Sequence, residues 1–161
     1  DPHNETACAL QGLSQATRVI QHIDVVVGQG YPFLDDLRRQ ANACRVPVQV
    51  HVQTPHMAEL MAEADLAVTS GGGVSWEKCT LGLPSLVTVV GDNQSLIVHE
   101  LAAAGAQFSL GRAEAISADE YARALDGLDS RLLAAMSAKA RGICDGQGTQ
   151  RVLDHLLKDS G

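Results

Sequence analysis

The chain has 161 residues, 45% of them hydrophobic and 19% charged, with a formal net charge of −7. That length and composition suit one globular domain with a substantial core. The acidic balance argues against a nucleic-acid or membrane-surface footprint, and 3% aromatic content leaves little for base stacking. The cysteines Cys8, Cys44, Cys79 and Cys144 form no Cys-x-x-Cys pair, so they read as free thiols of a reducing compartment. With neither a signal peptide nor a membrane-length apolar run, the expectation is a cytoplasmic protein.

In chain order, Thr6 to about Gln15 has a helical pattern, and Ile23–Val27 is an apolar strand run ending at Gly28. Pro32 opens a helix through Phe33, Leu34, Leu37 and Ala41 that stops before Pro47, and Val48–Val52 is the next strand. Thr54-Pro55 predicts a helix with Thr54 as N-cap and Pro55 in the first helical position, reaching Ala64 through Met57, Leu60 and Met61. Leu66–Thr69 reads as a strand, and Ser75 to about Leu81 as a helix closed by Gly82 and Pro84. Leu86–Val90 is another apolar strand, followed by a helix from about Ser95 to Ala104 that closes at Gly105. Phe108–Leu110 is a short last strand, and Ser117-Ala-Asp-Glu120 is a capping box opening a helix to about Leu128. Helices near Arg131–Arg141 and Thr149–Lys158 complete the series. Short strands, apolar on both faces and separated by helices, predict a doubly wound α/β domain with a parallel sheet.

Such sheets bind ligands beyond the carboxyl ends of their strands. Here those ends are Gly28-Gln29-Gly30-Tyr31, Gln53-Thr54-Pro55-His56, Ser70-Gly71-Gly72-Gly73 and Gly91-Asp92-Asn93-Gln94, all rich in glycine and polar residues. The third is the most telling: a strand, three glycines and the first turn of a helix form an anion site when free amides and the helix dipole converge. It fits neither the dinucleotide fingerprint nor the P-loop, and a tight turn needing glycine only for its geometry is the alternative. Ser75 is either a helix cap or a phosphate donor. Glu77 either complements the helix dipole or accepts from a ribose diol. Asp92-Asn93-Gln94 is a turn or a ligand-binding trio. His56 is the one histidine on this edge at a helix start, and the six histidines show no metal spacing. No nucleophile elbow or catalytic residue is identified, and no cofactor is implied.

Several motifs occur in a fixed order: Met57-Ala-Glu-Leu-Met-Ala-Glu-Ala-Asp65, Ser70-Gly-Gly, Trp76-Glu77, Leu81-Gly-Leu-Pro84, Asp92-Asn-Gln94 and Asp145-Gly-x-Gly148-x-x-Arg151-Val152. The series resembles the C-terminal half of the UDP-sugar hydrolase of pseudaminic acid biosynthesis, with related halves in spore-coat polysaccharide proteins. It is also similar to the nucleotide-binding half of the GT-B transferase that adds N-acetylglucosamine to lipid I. The opening Asp1-Pro-His-Asn-Glu-Thr6 and Ile23-Asp-Val-Val-Val-Gly28 match the hydrolase family too. The resemblance implies a Rossmann-like GT-B domain that binds a UDP-sugar. Thr54 to Met57, His56 included, would hold the uracil edge, Gly71, Gly72, Gly73 and Ser75 the diphosphate, Glu77 the ribose, and Asn93 with Gln94, beside Asp92, the sugar. The family carries hydroxyls directly after Gly-Gly, where this chain has Gly73 and Val74, which leaves backbone amides as the phosphate ligands. In that family a second, N-terminal half supplies the catalytic histidine, and a strand preceding Asp1 lies near the middle of the sheet. The resemblance therefore implies that this chain is one half of an enzyme and inactive alone. The alternatives are the donor half of a GT-B glycosyltransferase and a stand-alone nucleotide-binding module.

Overall fold

The computed structural model describes residues 3–158. Asp1 and Pro2 of the opening motif lie outside the described residues. The elements run α1 (Glu5–Gln15), β1 (Ile23–Val27), α2 (Leu34–Ala43), β2 (Val48–Val52), α3 (Met57–Glu63), β3 (Ala67–Ser70), α4 (Val74–Leu81) and β4 (Ser85–Val89). A 3-10 turn, Asp92–Gln94, leads into α5 (Ser95–Ala103). Then come β5 (Phe108–Arg112), another 3-10 turn at Ala113–Ala115, α6 (Ala118–Asp126), α7 (Ser130–Arg141) and α8 (Gly148–Lys158). The alternation, the parallel pairing and the capping box at Ser117 and Glu120 follow the sequence pattern.

Two local readings change. The helix after β2 begins at Met57 rather than Pro55, because the Thr54 hydroxyl accepts from the His56 amide at 3.1 Å and closes a local turn instead of capping the helix. The last strand runs on to Arg112, passing a register irregularity between Val87 and Thr88 of its neighbour.

The larger difference is in the sheet. A two-stranded sheet, β1-β2, and a three-stranded sheet, β3-β4-β5, stand in place of one continuous sheet. The central strand β4 is buried along its whole length, as its place between neighbours and two helical layers requires. Its alternation sorts those layers. Val87 and Val89 meet Val98 of α5, whereas Leu86 meets Leu125 and Leu128 at the end of α6. Ile23, Val25 and Val27 of β1 pack with Leu10, Leu37 and Ala41 of α1 and α2.

Helix α1 joins the two halves. A Cβ at Gly12 would lie 2.4 Å from Tyr121 Cβ and 2.5 Å from the Ala118 carbonyl oxygen, so only glycine permits this approach to α6. The loop after α1 is held by Asp126, which accepts from the Thr17 and Arg18 amides at 3.1 and 2.9 Å. All four cysteines are free, and no described helix is long and apolar enough to cross a membrane.

Candidate functional site

Within each sheet the strands are parallel, so their carboxyl ends share one edge. The glycine loop leaves β3 on that edge, and its three glycines do different work. The Gly71 amide donates to the Thr88 carbonyl at 3.0 Å, and a Cβ there would come within 2.1 Å of Val98 Cγ2. Gly71 is therefore a packing residue. Gly72 and Gly73 face open space, and none of the three glycines has positive φ. A turn geometry available only to glycine is thus not what places them here.

The amides sort the same way. Ser75 donates to the Gly72 carbonyl at 2.9 Å and Trp76 to that of Gly73 at 3.1 Å. Among the described residues, the amides of Gly72, Gly73 and Val74 have no such partner. They open α4, an eight-residue helix whose dipole is positive at this end. In its first turn Ser75 is fully buried, and its hydroxyl has no hydrogen-bond partner. A buried hydroxyl without a partner is costly and calls for a reason. Glu77, by contrast, is exposed, and no described group pairs with it.

The other edge loops are more committed. Asp92 Oδ1 accepts from Arg112 Nη1 at 2.7 Å, and Arg112 Nε also donates to Glu114 at 2.6 Å. Both acids hold the Arg112 guanidinium above its usual range, the Glu114 pair contributing first. Gln94 turns its carboxamide oxygen back to accept from the Val90 amide at 3.1 Å, and its NH2 group keeps its donors. Asn93 Oδ1 folds toward Gly91, 2.9 Å from where a Cβ would stand, so glycine makes room for it. At the end of β2, His56 and Met57 are exposed, with His56 Nδ1 3.6 Å from Glu59 Oε1.

One backbone conformation and two residues were missed by sequence reasoning. Gln53 adopts φ 49 where β2 ends, a left-handed backbone uncommon outside glycine, and nothing in the local sequence signals it. Arg112 was passed over because the strand was read as ending at Leu110. Lys78 follows Glu77 and sits one turn beyond Ser75, so helical periodicity alone would have placed both on the inner face. Its side chain is 2% exposed and donates to Thr69 Oγ1 at 2.8 Å and Ser85 Oγ at 3.1 Å. Burial lowers its ammonium to about 8. The described residues contain no cluster of three or more His, Cys, Asp and Glu that could hold a metal. A groove of about 360 Å3 lies elsewhere, between α3, α7 and the start of β4, lined by Met61, Leu83, Leu133 and Arg141.

The parallel α/β domain is Rossmann-like, and it shares its fold with part of several solved glycosyltransferases. The chain superposes on MurG of Acinetobacter baumannii with a TM-score of 0.74 at 20% identity, covering 95% of this chain and 48% of that one. It matches the spinosyn forosaminyltransferase SpnP with a TM-score of 0.62 at 17% identity, over 96% of this chain and 38% of that one. For the spinosyn rhamnosyltransferase SpnG complexed with thymidine diphosphate the TM-score is 0.54 at 20% identity, over 88% and 47%. In sequence, the chain is 28% identical over 131 residues to the spore coat polysaccharide biosynthesis protein SpsG of Bacillus subtilis (strain 168), covering 79% of this chain and 38% of SpsG. No protein-family model matches. The chain thus spans less than half the length of these relatives.

Proposed function

We propose that this chain is the nucleotide-sugar-binding half of an enzyme that releases UDP from a UDP-sugar, in the synthesis of a surface polysaccharide or a nonulosonic acid. The observation that carries the reading is the start of α4: three unpaired amides, open space over Gly72 and Gly73, and a buried hydroxyl without a partner at Ser75. Backbone amides at a helix start suit a diphosphate, which needs donors and positive potential but no dedicated cation. The exposed Glu77 carboxylate stands in the same turn, where it can accept from a ribose diol. The turn at Thr54, His56 and Met57 is assigned to the uracil edge, and Asn93 with the Gln94 NH2 to the sugar.

In hydrolysis, water oxygen attacks the anomeric carbon of the sugar, here taken as a deoxy-diacetamido sugar. The bond from that carbon to the diphosphate oxygen breaks, and UDP leaves with the electron pair. The Gly72–Val74 amides stabilise the charge that grows on the leaving diphosphate. The proton of the attacking water goes to a base on a facing N-terminal half, so this chain alone is expected to bind without turnover. The division of the strands into two separate parallel sheets supports the expectation of a further strand joining them. Free cysteines and a UDP-sugar ligand accord with a cytoplasmic setting. The likeness to MurG, SpnP and SpnG favours a second reading, in which the same half serves a glycosyltransferase and the nucleophile is an acceptor hydroxyl instead of water.

Calorimetric titration with UDP, using CMP and ADP as controls, tests the site. Selective UDP binding that weakens in Ser75→Ala and Glu77→Ala is the expected result. Equal binding of all three nucleotides would reduce the site to a general phosphate loop. Adding the facing half and following UDP release with and without an acceptor alcohol separates hydrolase from transferase.

A further inference from the structure

Two of the four thiols come together near the carboxyl end of α4. Cys79, 3% exposed, forms a small core with Leu101 of α5, Ala106 and Ala140 of α7. Cys144, half-buried on the loop between α7 and α8, packs against the same core. Its sulfur lies 3.2 Å from Oγ1 of Thr80, the residue that follows Cys79. The loop is pressed onto the helix at this point. Gly146 has φ 72, and a Cβ there would stand 2.9 Å from Thr80 Cγ2. The other two thiols are placed elsewhere: Cys8 of α1 donates to the Ile116 carbonyl at 3.6 Å, and Cys44 packs against the core around β1.

The two sulfurs have contrasting settings. The Thr80 hydroxyl first, and then the Gly146 amide, donate to Cys144 and hold its thiol below the usual range, with the Arg151 guanidinium adding to the effect. Burial pushes the Cys79 thiol up. A reachable sulfur that favours the thiolate, beside a buried sulfur that keeps its proton, suits an oxidation begun at the first and captured by the second. We propose that Cys79 and Cys144 form a peroxide-responsive pair, in which Cys144 attacks and Cys79 resolves. The Cys144 thiolate bonds to one oxygen of hydrogen peroxide, the O–O bond breaks, hydroxide leaves, and Cys144 becomes a sulfenic acid. The Cys79 sulfur then bonds to the Cys144 sulfur, and the sulfenic hydroxyl leaves with the Cys79 proton as water. Both thiols are oxidised to one disulfide, and the peroxide is reduced. The neighbours of Cys144 in the loop 142–147 are exposed, so the loop can supply the movement that closing the bond requires. The bond ties the approach to α8 onto α4, and in a reducing compartment it is transient. The inference is independent of what the glycine loop binds.

The test treats the reduced full chain with hydrogen peroxide, blocks the remaining thiols with an alkylating agent and maps every cysteine by mass spectrometry. The expected product is a Cys79–Cys144 disulfide within one chain, lighter than the reduced protein by two hydrogens and reversed by dithiothreitol. It should form several-fold faster than any oxidation of Cys8 or Cys44. Cys79→Ser should leave Cys144 as a sulfenic acid that a 1,3-dione probe labels, and that passes to the sulfinic acid with more peroxide. Cys144→Ser should leave Cys79 reduced over the same time. The map of the native chain needs no variant and decides the matter should a substitution at the buried Cys79 unfold the protein. Cys144 reaching the sulfinic acid in the native chain with Cys79 still reduced overturns the inference. So does earlier or equally fast oxidation of Cys8 or Cys44, a disulfide that joins two chains, or a chain whose thiols all stay reduced.

Discussion

The turn from β1 into α2 and the turn from β3 into α4 are both glycine-rich, and both leave a parallel strand at its carboxyl end. In the first, Gly28 and Gly30 face open space just as Gly72 and Gly73 do. There the Tyr31 amide is tied to the Gly28 carbonyl at 3.1 Å, and Asp35 and Asp36 occupy the first turn of α2. That helix start carries two exposed carboxylates of its own, Asp36 in a pair with Arg39. The second turn likewise leaves its first amides without a partner, but it has one carboxylate, the exposed Glu77, and the next residue of its helix is the buried Lys78. Glycines open space at both turns. The charge around the two turns, not their glycines, is what tells them apart.

The largest expected effect that breaks this comparison is on stability at alkaline pH. Lys78 in the folded chain titrates at about 8, below its ordinary 10.5, so between those values the unfolded chain binds more protons. Stability should therefore rise with pH across that window, by on the order of 3 kcal/mol, and Lys78→Met should abolish the rise. Urea unfolding at both ends of the window reads this directly, and a flat native profile would show that the ammonium is not held as described. Next in size is Gly71→Ala, which drives a methyl into Val98 and should cost about 1–3 kcal/mol. Gly30→Ala, in the other turn, should change stability by less than about 0.5 kcal/mol. Equal losses would mean that Gly71 has no special packing role.

Glu77→Ala should weaken UDP binding by roughly tenfold, or about 1.4 kcal/mol, and leave unfolding unchanged. In the α2 turn, Asp36→Asn should leave UDP binding as it was; a matching loss would move the nucleotide to the wrong helix. The smallest effect is the sharpest. Gly73 already has the helical φ of −53, so Gly73→Ala should stabilise the fold by about 0.4–1 kcal/mol. The same methyl stands in the open space above the loop and should weaken UDP binding. A variant both more stable and tighter-binding would show that the space is not used.

Much of the fold was legible in the sequence because its signals are local. Ile23–Val27 and Val48–Val52 are strands with the expected bounds, since short apolar runs between glycine and proline have few alternatives. Gly82 closes α4 in the left-handed conformation, at φ 65. Thr54 misled because a threonine hydroxyl can close a turn on its own neighbours as readily as it caps a helix. At the candidate site, the residue types at the strand ends were legible, but their commitments were not. Neither the Arg112–Asp92 pair nor the inward turn of Gln94 has a sequence signal, because each joins groups through the packing of separate elements.

By itself the sequence determined the order of strands and helices, the glycine loop and the strand ends at which glycine and polar residues gather. These follow from hydrophobic periodicity, caps and turn chemistry, which act over a few residues. Only the tertiary structure decided that the strands divide into a two-stranded and a three-stranded sheet and that α1 packs on α6 through Gly12. It alone separated Gly71, which packs, from Gly72 and Gly73, which lie open, and buried the Lys78 ammonium against the hydroxyls of Thr69 and Ser85. Such outcomes depend on which side chains meet across elements far apart in the chain, and on how much water is left around a charge once they have met.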